Sequence, residues 1–409
     1  MLRISYEIIK TIDPEAYVAI GGIGYPSFLD AVLRNTDNMD EGKVTTDYPL
    51  KGGAYFDVLS YHVYPHIDGS LRSWNNLLKG FVYKRHSDAA AYGVLDLKNE
   101  FEEVLFQHGY NGQTYPEKVW IITESNVPRK PLNQGFGTDE AQRNFIIKSL
   151  VECQKSDIHQ FHIFTLGDKM NFNDAQRLYE EYNLMGIYGN LLQIPYKNAK
   201  LNDVGVAYKT TSDLLQKKRF DAAAFERLEL AKGVNGGVFK DDQGQQTIVL
   251  WAETRADNSE SALQVINLRN VLAANKLVKK EWNYAVTKDS SIVDARYVTL
   301  TGAPIFLTKL ENSTYTGGGN PANPYIWEVF PNPFTSQVNI NFEVQVEEVV
   351  TLTIYDHIGR PKQILVNQEV LSPGNYSWRL DGETFMSGIY FLEYKTNTKT
   401  KKILLIKSL

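Results

Sequence analysis

The stretch Lys118–Asn126, KVWIITESN, decides how the first part of the chain folds. Four apolar residues, Val119 to Ile122, stand in a row and lead directly into Thr123 and Glu124. An unbroken apolar run of this length is typical of a strand that is covered on both faces of a parallel sheet. The stretch therefore predicts a buried strand that ends on a carboxylate, and this ending is the first sign of a functional site.

The composition of the 409-residue chain is that of a globular protein with two or three domains. The net charge of -5 provides no basic surface, so nucleic acid is not expected as a partner. The single cysteine, Cys153, excludes an internal disulfide and fits a buried helix position better than a reactive thiol. No apolar run reaches membrane-spanning length. The seven histidines lack ligand spacing, so we expect neither a metal nor a cofactor.

Helical and strand patterns alternate along residues 1–216. An amphipathic helix is predicted at the start, with Ile4, Ile8, Ile9 and Ile12 on one face. Besides the opening stretch, the predicted strands are Tyr17–Ile23, Asp57–Tyr64 and the segment IHQFHIFTLGD at 158–168. Strands that alternate with helices indicate a parallel sheet covered by helices, and four such units correspond to half of a (β/α)8 TIM barrel.

The rest of the chain predicts two all-β domains. Residues 217–311 carry strand-like runs such as QTIVLWAE and VLAANKLVKKEW between turn signals, which indicates a β-sandwich. Residues 312–327 are a polar linker containing Gly and Pro. Residues 328–409 contain QVNINFEV and VVTLTIYD, whose period-two alternation predicts a small immunoglobulin-like sandwich. The predicted fold class is thus multidomain: a partial TIM barrel with strands 5 to 8, a β-sandwich, and a small all-β domain.

Polar side chains at the strand ends define the candidate site. In a parallel barrel the carboxyl ends of the strands form the rim of the active site. Glu124 lies at that rim on rigid backbone, which suits a nucleophile or an acid/base group, although an exposed or capping glutamate is the alternative. The segment SYHVYP places His62 and Tyr64 on one face of a neighbouring strand. These two side chains can bond a sugar hydroxyl or hold a carboxylate, and a packed histidine is the alternative for His62.

Three further residues are candidates for substrate contact. Asp168 follows the last predicted strand, where a turn or a helix cap is the alternative role. Trp74 follows DGSLRS in a predicted loop and can stack on a sugar ring, whereas Trp120 lies inside a strand and favours the core. Asn126 stands two residues beyond Glu124. The expected substrate contacts are His62, Tyr64, Trp74, Asn126 and Asp168.

Residues 1–216 resemble the second half of a clan A glycoside hydrolase of the β-xylosidase, family 39-like type. The segment IDPEAYVAIGG is similar to the family's entry into its fifth strand. Asp57, Ser60, His62 and Tyr64 match the family's sixth-strand pattern D-x-x-S-x-H-x-Y. The family's seventh strand ends in Thr-Glu, which Thr123 and Glu124 match here.

The resemblance implies that Glu124 is the catalytic nucleophile of a retaining glycosidase and that His62 and Tyr64 contact the substrate. The predicted eighth strand departs from the family, which often has a tryptophan near the position of Ile163. This departure leaves the substrate subclass open. The middle sandwich, residues 217–311, resembles the β-domain that packs against clan A barrels and adds no chemistry.

The resemblance also implies a second carboxyl group that this chain lacks. In the clan, a glutamate in an Asn-Glu pair at the end of strand four protonates the leaving group. The pair Asn99-Glu100 lies in a predicted helix and cannot serve. We therefore expect the acid/base residue to precede Met1, and the chain alone to be inactive or very weak on unactivated glycosides. Half a barrel exposes two sheet edges, so we expect residues 1–216 alone to aggregate or dimerise.

The segment VFPNPF, Val329–Phe334, opens the most specific resemblance. Together with LTIYDHIGR, MSGIYFLEYKT and KKILLIK it closely resembles a type IX secretion sorting domain of Bacteroidetes. A generic carbohydrate-binding or immunoglobulin-like module is the alternative. The resemblance implies the type IX secretion machinery as a partner and a secreted or surface-attached protein. We expect residues 328–409 to fold independently.

Together these features predict a secreted retaining glycoside hydrolase that acts on a polysaccharide or an oligosaccharide. A non-catalytic glycan-binding protein of the cell surface is the alternative from another class, and a structural surface protein is the third.

Overall fold

The computed structural model describes residues 1–34, 43–50, 53–131, 135–177, 180–310, 327–344, 346–397 and 400–408. The chain divides into two compact units, Met1–Ser313 and Thr314–Leu409. Both predicted domains 1–216 and 217–311 fall within the first unit. All but the last residue of the predicted linker lies outside the described residues.

The first unit contains eight described helices and thirteen described strands. The helices are α1 (Leu2–Ile12), α2 (Pro26–Arg34), α3 (Ser87–Gln107), α4 (Asp139–Lys155), α5 (Asp203–Leu215), α6 (Ala222–Glu226), α7 (Arg269–Leu272) and α8 (Tyr284–Thr287). The strands are β1 (Val58–Val63), β2 (Arg72–Asn75), β3 (Gly80–Tyr83), β4 (Val119–Ser125), β5 (Ile158–Ile163), β6 (Arg219–Phe220), β7 (Val234–Lys240), β8 (Gln246–Ala252), β9 (Leu263–Ile266), β10 (Lys276–Lys280), β11 (Ser290–Asp294), β12 (Val298–Thr301) and β13 (Ile305–Lys309). Short 3-10 helices span Glu180–Leu184 and Tyr196–Asn198.

Three parallel strands in the order β1-β4-β5 form the sheet that positions the site. Ala19 and Ile23 form isolated parallel bridges to β1. The segment that contains them therefore lies beside β1 as a fourth parallel segment at the edge of the sheet. The four parallel segments therefore neighbour one another in chain order, as the sequence predicts.

The helices cover one face of this sheet. Tyr61, Trp120 and Ile122 point to that face and are buried; the Tyr61 ring contacts Phe101 of α3 at a centroid distance of 5.7 Å. Alternate residues of a strand point to opposite faces, and Val119, on the other face, is only part-buried. The expectation that β4 is buried on both faces is therefore wrong, whereas core packing of Trp120 is confirmed.

The N-terminal helix forms where the apolar spacing predicts it. Its predicted apolar face is nevertheless exposed to solvent: Ile4 is 54% exposed and Ile12 is 80% exposed. The helix is held instead through Lys10, whose Nζ lies 3.0 Å from Asp57 Oδ2, and through the Tyr6 hydroxyl, which donates to Asp57 Oδ1.

The predicted middle sandwich is an antiparallel six-stranded sheet, β11-β10-β13-β8-β7-β6, accompanied by the pair β12-β9. One prediction fails, since VLAANKLVKKEW begins with helix α7 and becomes a strand only at Lys276. Phe239, Trp251 and Phe306 belong to the same buried cluster as Phe145 of α4. The six-stranded sheet thus shares one hydrophobic core with the helices that cover the parallel sheet.

A buried polar cluster also joins the helices to β8. Asp88 of α3 accepts hydrogen bonds from Lys148 Nζ at 2.7 Å, from Trp251 Nε1 at 2.7 Å and from the backbone N–H of Thr254 at 2.8 Å. The ammonium of Lys148 also donates to the Ser87 hydroxyl at 2.8 Å. All of these groups are buried away from water. Each charge and each donor would therefore cost folding free energy without the partner described here.

The second unit is a small β-sandwich of seven described strands, as the sequence predicts. They are β14 (Trp327–Phe330), β15 (Gln337–Val344), β16 (Glu348–Asp356), β17 (Pro361–Leu371), β18 (Gly374–Asp381), β19 (Gly388–Lys395) and β20 (Thr400–Lys407), with a 3-10 turn at Gly382–Thr384. They form a three-stranded sheet, β14-β15-β18, and a four-stranded sheet, β17-β16-β19-β20. Val338, Ile340 and Leu352 are fully buried in its core.

Candidate active site

The register of the parallel sheet brings two predicted residues together. His62 on β1 is the direct partner of Glu124 on β4, after a register shift between Tyr61 and His62. Both residues stand at the carboxyl ends of their strands. The shift therefore aligns the two side chains at one edge of the sheet, where the sequence predicts a rim.

The carboxylate of Glu124 is held by one strong hydrogen bond. The Tyr64 hydroxyl donates to Glu124 Oε2 at 2.8 Å, and His62 Nδ1 lies 3.6 Å from the same oxygen. The second distance is too long for a hydrogen bond, so His62 lies beside the carboxylate without bonding to it. The side chain of Glu124 is 38% exposed, which leaves the carboxylate accessible to a ligand.

A glycine makes room for the His62 ring. A Cβ atom on Gly22 would lie 2.1 Å from His62 Nε2, which is closer than atoms can approach. Gly22 lies between the two residues that bridge the N-terminal segment to β1. The sequence segment AYVAIGGIG contains the required glycine, but nothing in the pattern indicates which side chain needs the space.

Aromatic rings surround Tyr64 and fix the direction of its hydroxyl. Tyr182 and Phe164 contact the Tyr64 ring edge-on at 5.5 Å and 6.0 Å, and His66 contacts it at 6.2 Å. Burial, followed by the hydrogen bond to Glu124, raises the pKa of Tyr64 well above its usual value. Tyr64 therefore remains a protonated donor at any physiological pH. The sequence did not single out Phe164 or Tyr182 as site residues. Phe164 falls in the predicted strand 158–168, of which β5 covers only Ile158–Ile163, and Tyr182 lies in a short 3-10 helix that was not predicted.

His66 is an unusual neighbour of this group. The residue as a whole is only half-buried, but both ring nitrogens are shut off from solvent and lack a hydrogen-bond partner among the described residues. Burial lowers the pKa of His66 to about 3, so the ring is neutral at physiological pH.

Asn126 and Asp168 are occupied by protein partners. Asn126 is buried, and its amide donates to the carbonyls of Phe164 at 2.6 Å and Met185 at 2.8 Å. Asp168 is buried and accepts hydrogen bonds from the Arg129 guanidinium at 2.9 Å and the Gly186 N–H at 2.8 Å. Burial raises the pKa of Asp168, and Arg129 opposes that shift. A substrate contact by either residue would have to displace one of these partners, so the structure indicates loop anchoring.

Trp74 lies in a strand and not in the loop that the sequence predicts. Strands β2 and β3 form a hairpin in which Trp74 is paired with Phe81, and the two rings meet edge-on at 5.3 Å. The indole is 53% exposed. Trp74 therefore keeps the exposure that its predicted stacking role requires.

Other predicted features concern Cys153, metals and membranes. Cys153 is buried in α4, and burial raises the pKa of its thiol, as expected for a packing residue. Within the described ranges, no group of His, Cys, Asp and Glu side chains has the arrangement of a metal site. None of the helices in the described part of the chain is both long enough and apolar enough to cross a membrane.

Comparison with known protein families identifies the kind of domain that the second unit contains. Residues 328–407 match the family of the secretion system C-terminal sorting domain. This match confirms the type IX sorting domain predicted from VFPNPF and the motifs after it. The protein is therefore marked for export by type IX secretion to the cell surface or beyond. Among curated proteins, none matches the sequence.

Solved structures similar to the chain include enzymes that act on glycosides. A bacterial orthologue of human α-L-iduronidase shares 10% identity over 100% of this chain and 73% of its own, with a TM-score of 0.42. A family 51 α-L-arabinofuranosidase from Bifidobacterium longum shares 10% identity over 76% of this chain and 62% of its own, with a TM-score of 0.43.

A β-1,3-glucanosyltransferase from Rhizomucor miehei shares 12% identity over 46% of this chain, with a TM-score of 0.27. This chain spans 54% of the length of that protein. Likenesses at these TM-scores do not establish the activity of this chain.

Proposed function

We propose that this protein is a secreted glycosidase that uses Glu124 as the nucleophile of a retaining mechanism. The observation that carries the proposal is the Tyr64–Glu124–His62 group at the carboxyl ends of neighbouring parallel strands. Tyr64 engages one carboxylate oxygen, Oε2, and orients the carboxylate, while the side chain stays part-exposed. A carboxylate with this combination of restraint and access is suited to attack on a sugar.

In the first proposed step, a Glu124 oxygen attacks the anomeric carbon of the sugar. An ester bond forms between the enzyme and the sugar, and the bond to the leaving oxygen breaks with its electron pair. The hydrogen bond from Tyr64 holds the attacking group against rotation. Because Tyr64 does not ionise, it adds no negative charge beside the nucleophile.

In the second proposed step, water attacks the same anomeric carbon and releases Glu124 as a carboxylate. A separate carboxyl group, about 5–5.5 Å from the nucleophile, has to protonate the leaving oxygen and then deprotonate this water. We assign no residue of this chain to that role. The proposal for Glu124 is therefore tested with substrates that need no acid.

We also propose the domain organisation that accompanies this function. Residues 1–216 belong to a TIM-barrel domain in which β1, β4 and β5 are consecutive strands, and residues 217–311 form an accessory β-sandwich. The parallel order of the strands and the shared hydrophobic core support this organisation.

A non-catalytic glycan-binding protein is the second candidate, and the exposed aromatic hairpin favours it. Such a protein would bind sugars through Trp74 and would not turn over glycosides. The experiment below separates the two candidates, because only an enzyme releases the leaving group.

Hydrolysis of 2,4-dinitrophenyl glycosides tests the proposed nucleophile. Dinitrophenolate leaves without protonation, so the first step requires Glu124 alone. We expect release of dinitrophenolate from the xylose, arabinose, glucose or mannose glycoside, and a loss of several orders of magnitude in Glu124→Gln. Glu103→Gln, an exposed glutamate on α3, is the matched control and should keep full activity. Equal rates for Glu124→Gln and wild type would overturn the proposal.

A further inference from the structure

The hairpin of β2 and β3 carries an exposed row of aromatic side chains. Arg72 pairs with Tyr83 and Trp74 pairs with Phe81 across the two strands, so all four side chains share one face. Trp74, Phe81 and Tyr83 are 53%, 50% and 41% exposed. Exposed aromatic rings grouped on one face of a hairpin indicate a binding surface more often than a packing defect.

Cations and hydrogen bonds hold this row in place. The guanidinium of Arg72 lies over the Phe81 ring at 4.8 Å, and that of Arg85 lies over the Tyr83 ring at 4.7 Å. Directly after β3, the backbone N–H and Nε of Arg85 donate to Asp257 Oδ1 at 2.8 Å and 3.0 Å. The aromatic face is thus ordered before any ligand arrives, which lowers the entropic cost of binding.

The hairpin stands next to the candidate active site. It follows β1 along the chain after a short turn that begins at Tyr64. A cavity of about 370 Å³ lies between the turn and the hairpin, with Pro65, His66, Arg72 and Tyr83 among its lining residues. The His66 ring in turn contacts Tyr64, which bonds Glu124. A series of contacts therefore links Glu124, through Tyr64 and His66, to a cavity that Arg72 and Tyr83 of the hairpin also line.

We propose that this hairpin is a platform for a polysaccharide chain, so that the natural substrate of the protein is a polymer and not a short oligosaccharide. Each pyranose ring presents an apolar C–H face, which stacks on an aromatic ring while its hydroxyls remain in water. The proposal rests on the proposed function for the carbohydrate nature of the ligand. It adds that sugar units remote from the cleaved bond bind to Trp74, Phe81 and Tyr83.

Polysaccharide binding and small-substrate turnover test the platform separately. Binding is measured on an array of plant, algal and microbial polysaccharides with wild type, Trp74→Ala and Phe81→Ala. We expect wild type to bind at least one polymer, and both variants to bind it roughly tenfold or more weakly, the loss typical of a central aromatic anchor. Phe106→Ala, with a phenylalanine 46% exposed at the C-terminal end of α3, is the matched control and should bind as wild type does.

The outcomes distinguish this inference from the proposed function. Trp74→Ala and Phe81→Ala should lose polymer binding, whereas Phe106→Ala should keep both polymer binding and the wild-type rate of dinitrophenolate release. Polymer binding without any hydrolysis by wild type would support the platform and overturn the enzyme. Absence of binding to every polymer, or equal binding by Trp74→Ala and wild type, would overturn the platform whatever the hydrolysis result.

Discussion

Glu124 and Asp88 are two carboxylates in the same compact unit, and their surroundings differ in kind. Asp88 is 3% exposed and accepts hydrogen bonds from Lys148, Trp251 and Thr254. Glu124 is 38% exposed and accepts one hydrogen bond, from Tyr64. A carboxylate saturated by protein donors has no capacity for a ligand. One that is oriented by a single donor and open to solvent can react.

The contrast explains why the two sites should respond differently to substitution. Loss of Asp88 leaves the buried Lys148 ammonium without its counterion and three buried donors, from Trp251 and Thr254, without their acceptor, which costs folding free energy. Loss of Glu124 leaves one part-buried tyrosine hydroxyl without its acceptor and no buried charge without its counterion. Substitution of Asp88 should therefore change stability, and substitution of Glu124 should change activity.

The largest expected effect on stability belongs to Asp88→Ala. We expect the free energy of unfolding to fall by about 3–5 kcal/mol, because the fully buried Lys148 loses its counterion. Denaturant unfolding followed by tryptophan fluorescence measures the change. Asp213→Ala removes an exposed ion pair with Lys209 and should change stability by about 0.5 kcal/mol or less. Similar losses of unfolding free energy in Asp88→Ala and Asp213→Ala would show that the buried Asp88 cluster does not stabilise the fold more than a surface ion pair.

The next effect is catalytic and concerns Tyr64→Phe. A hydrogen bond to a charged group contributes about 1.5–3 kcal/mol, so dinitrophenolate release should slow by roughly tenfold to a hundredfold. The melting temperature should change little, because water can reach the part-exposed Glu124 carboxylate and replace the lost donor in the resting protein. Tyr92→Phe is a close control, since the Tyr92 hydroxyl donates to Glu253 Oε1 at 2.7 Å outside the candidate site. A fall in melting temperature without a slower rate would assign Tyr64 to structure instead.

The smallest effect concerns His66, whose two ring nitrogens are enclosed, as Asp88 is, but have no hydrogen-bond partner among the described residues. Its folded pKa of about 3 is below the unfolded value, so the unfolded chain binds a proton first as pH falls. Wild type should lose about 1.4 kcal/mol for each pH unit below about 6.5, relative to His66→Phe. Urea unfolding of both proteins between pH 7 and 5 measures this difference. A constant difference across that range would show that His66 is not kept neutral by burial.

The sequence predicted the parts of the fold that depend on local apolar patterns. The run at Val119–Ile122 indicated a strand in a parallel sheet, and the alternation in QVNINFEV indicated the small sandwich. The sequence also indicated the three residues that meet at the rim, because His62, Tyr64 and Glu124 each stand at or just beyond the carboxyl end of an apolar strand. In a parallel sheet the carboxyl ends lie at one edge, so these positions had to be close.

The missed features depend on long-range packing. Asn126 directly follows β4, whereas Asp168 lies beyond the end of β5 at Ile163, and loops after β5 surround both residues with donors and carbonyls that no local pattern reveals. The hairpin at β2 and β3 escaped prediction because its strands have four residues each and lack a buried face. The sequence also could not show that residue 22 must be a glycine, because the His62 ring that occupies the space of a Cβ atom there comes from a distant part of the chain.

The most direct measurement is trapping of the glycosyl-enzyme with 2,4-dinitrophenyl 2-deoxy-2-fluoro glycosides of xylose, arabinose, glucose and mannose. Fluorine slows both steps by destabilising the positively charged transition state, while the leaving group keeps the first step fast enough to trap the ester. Intact mass and peptide mapping should find one adduct, on the peptide containing Glu124, and the sugar that reacts names the specificity. An adduct on another residue, or no adduct with any of the four sugars, would contradict the assignment of Glu124 as the nucleophile.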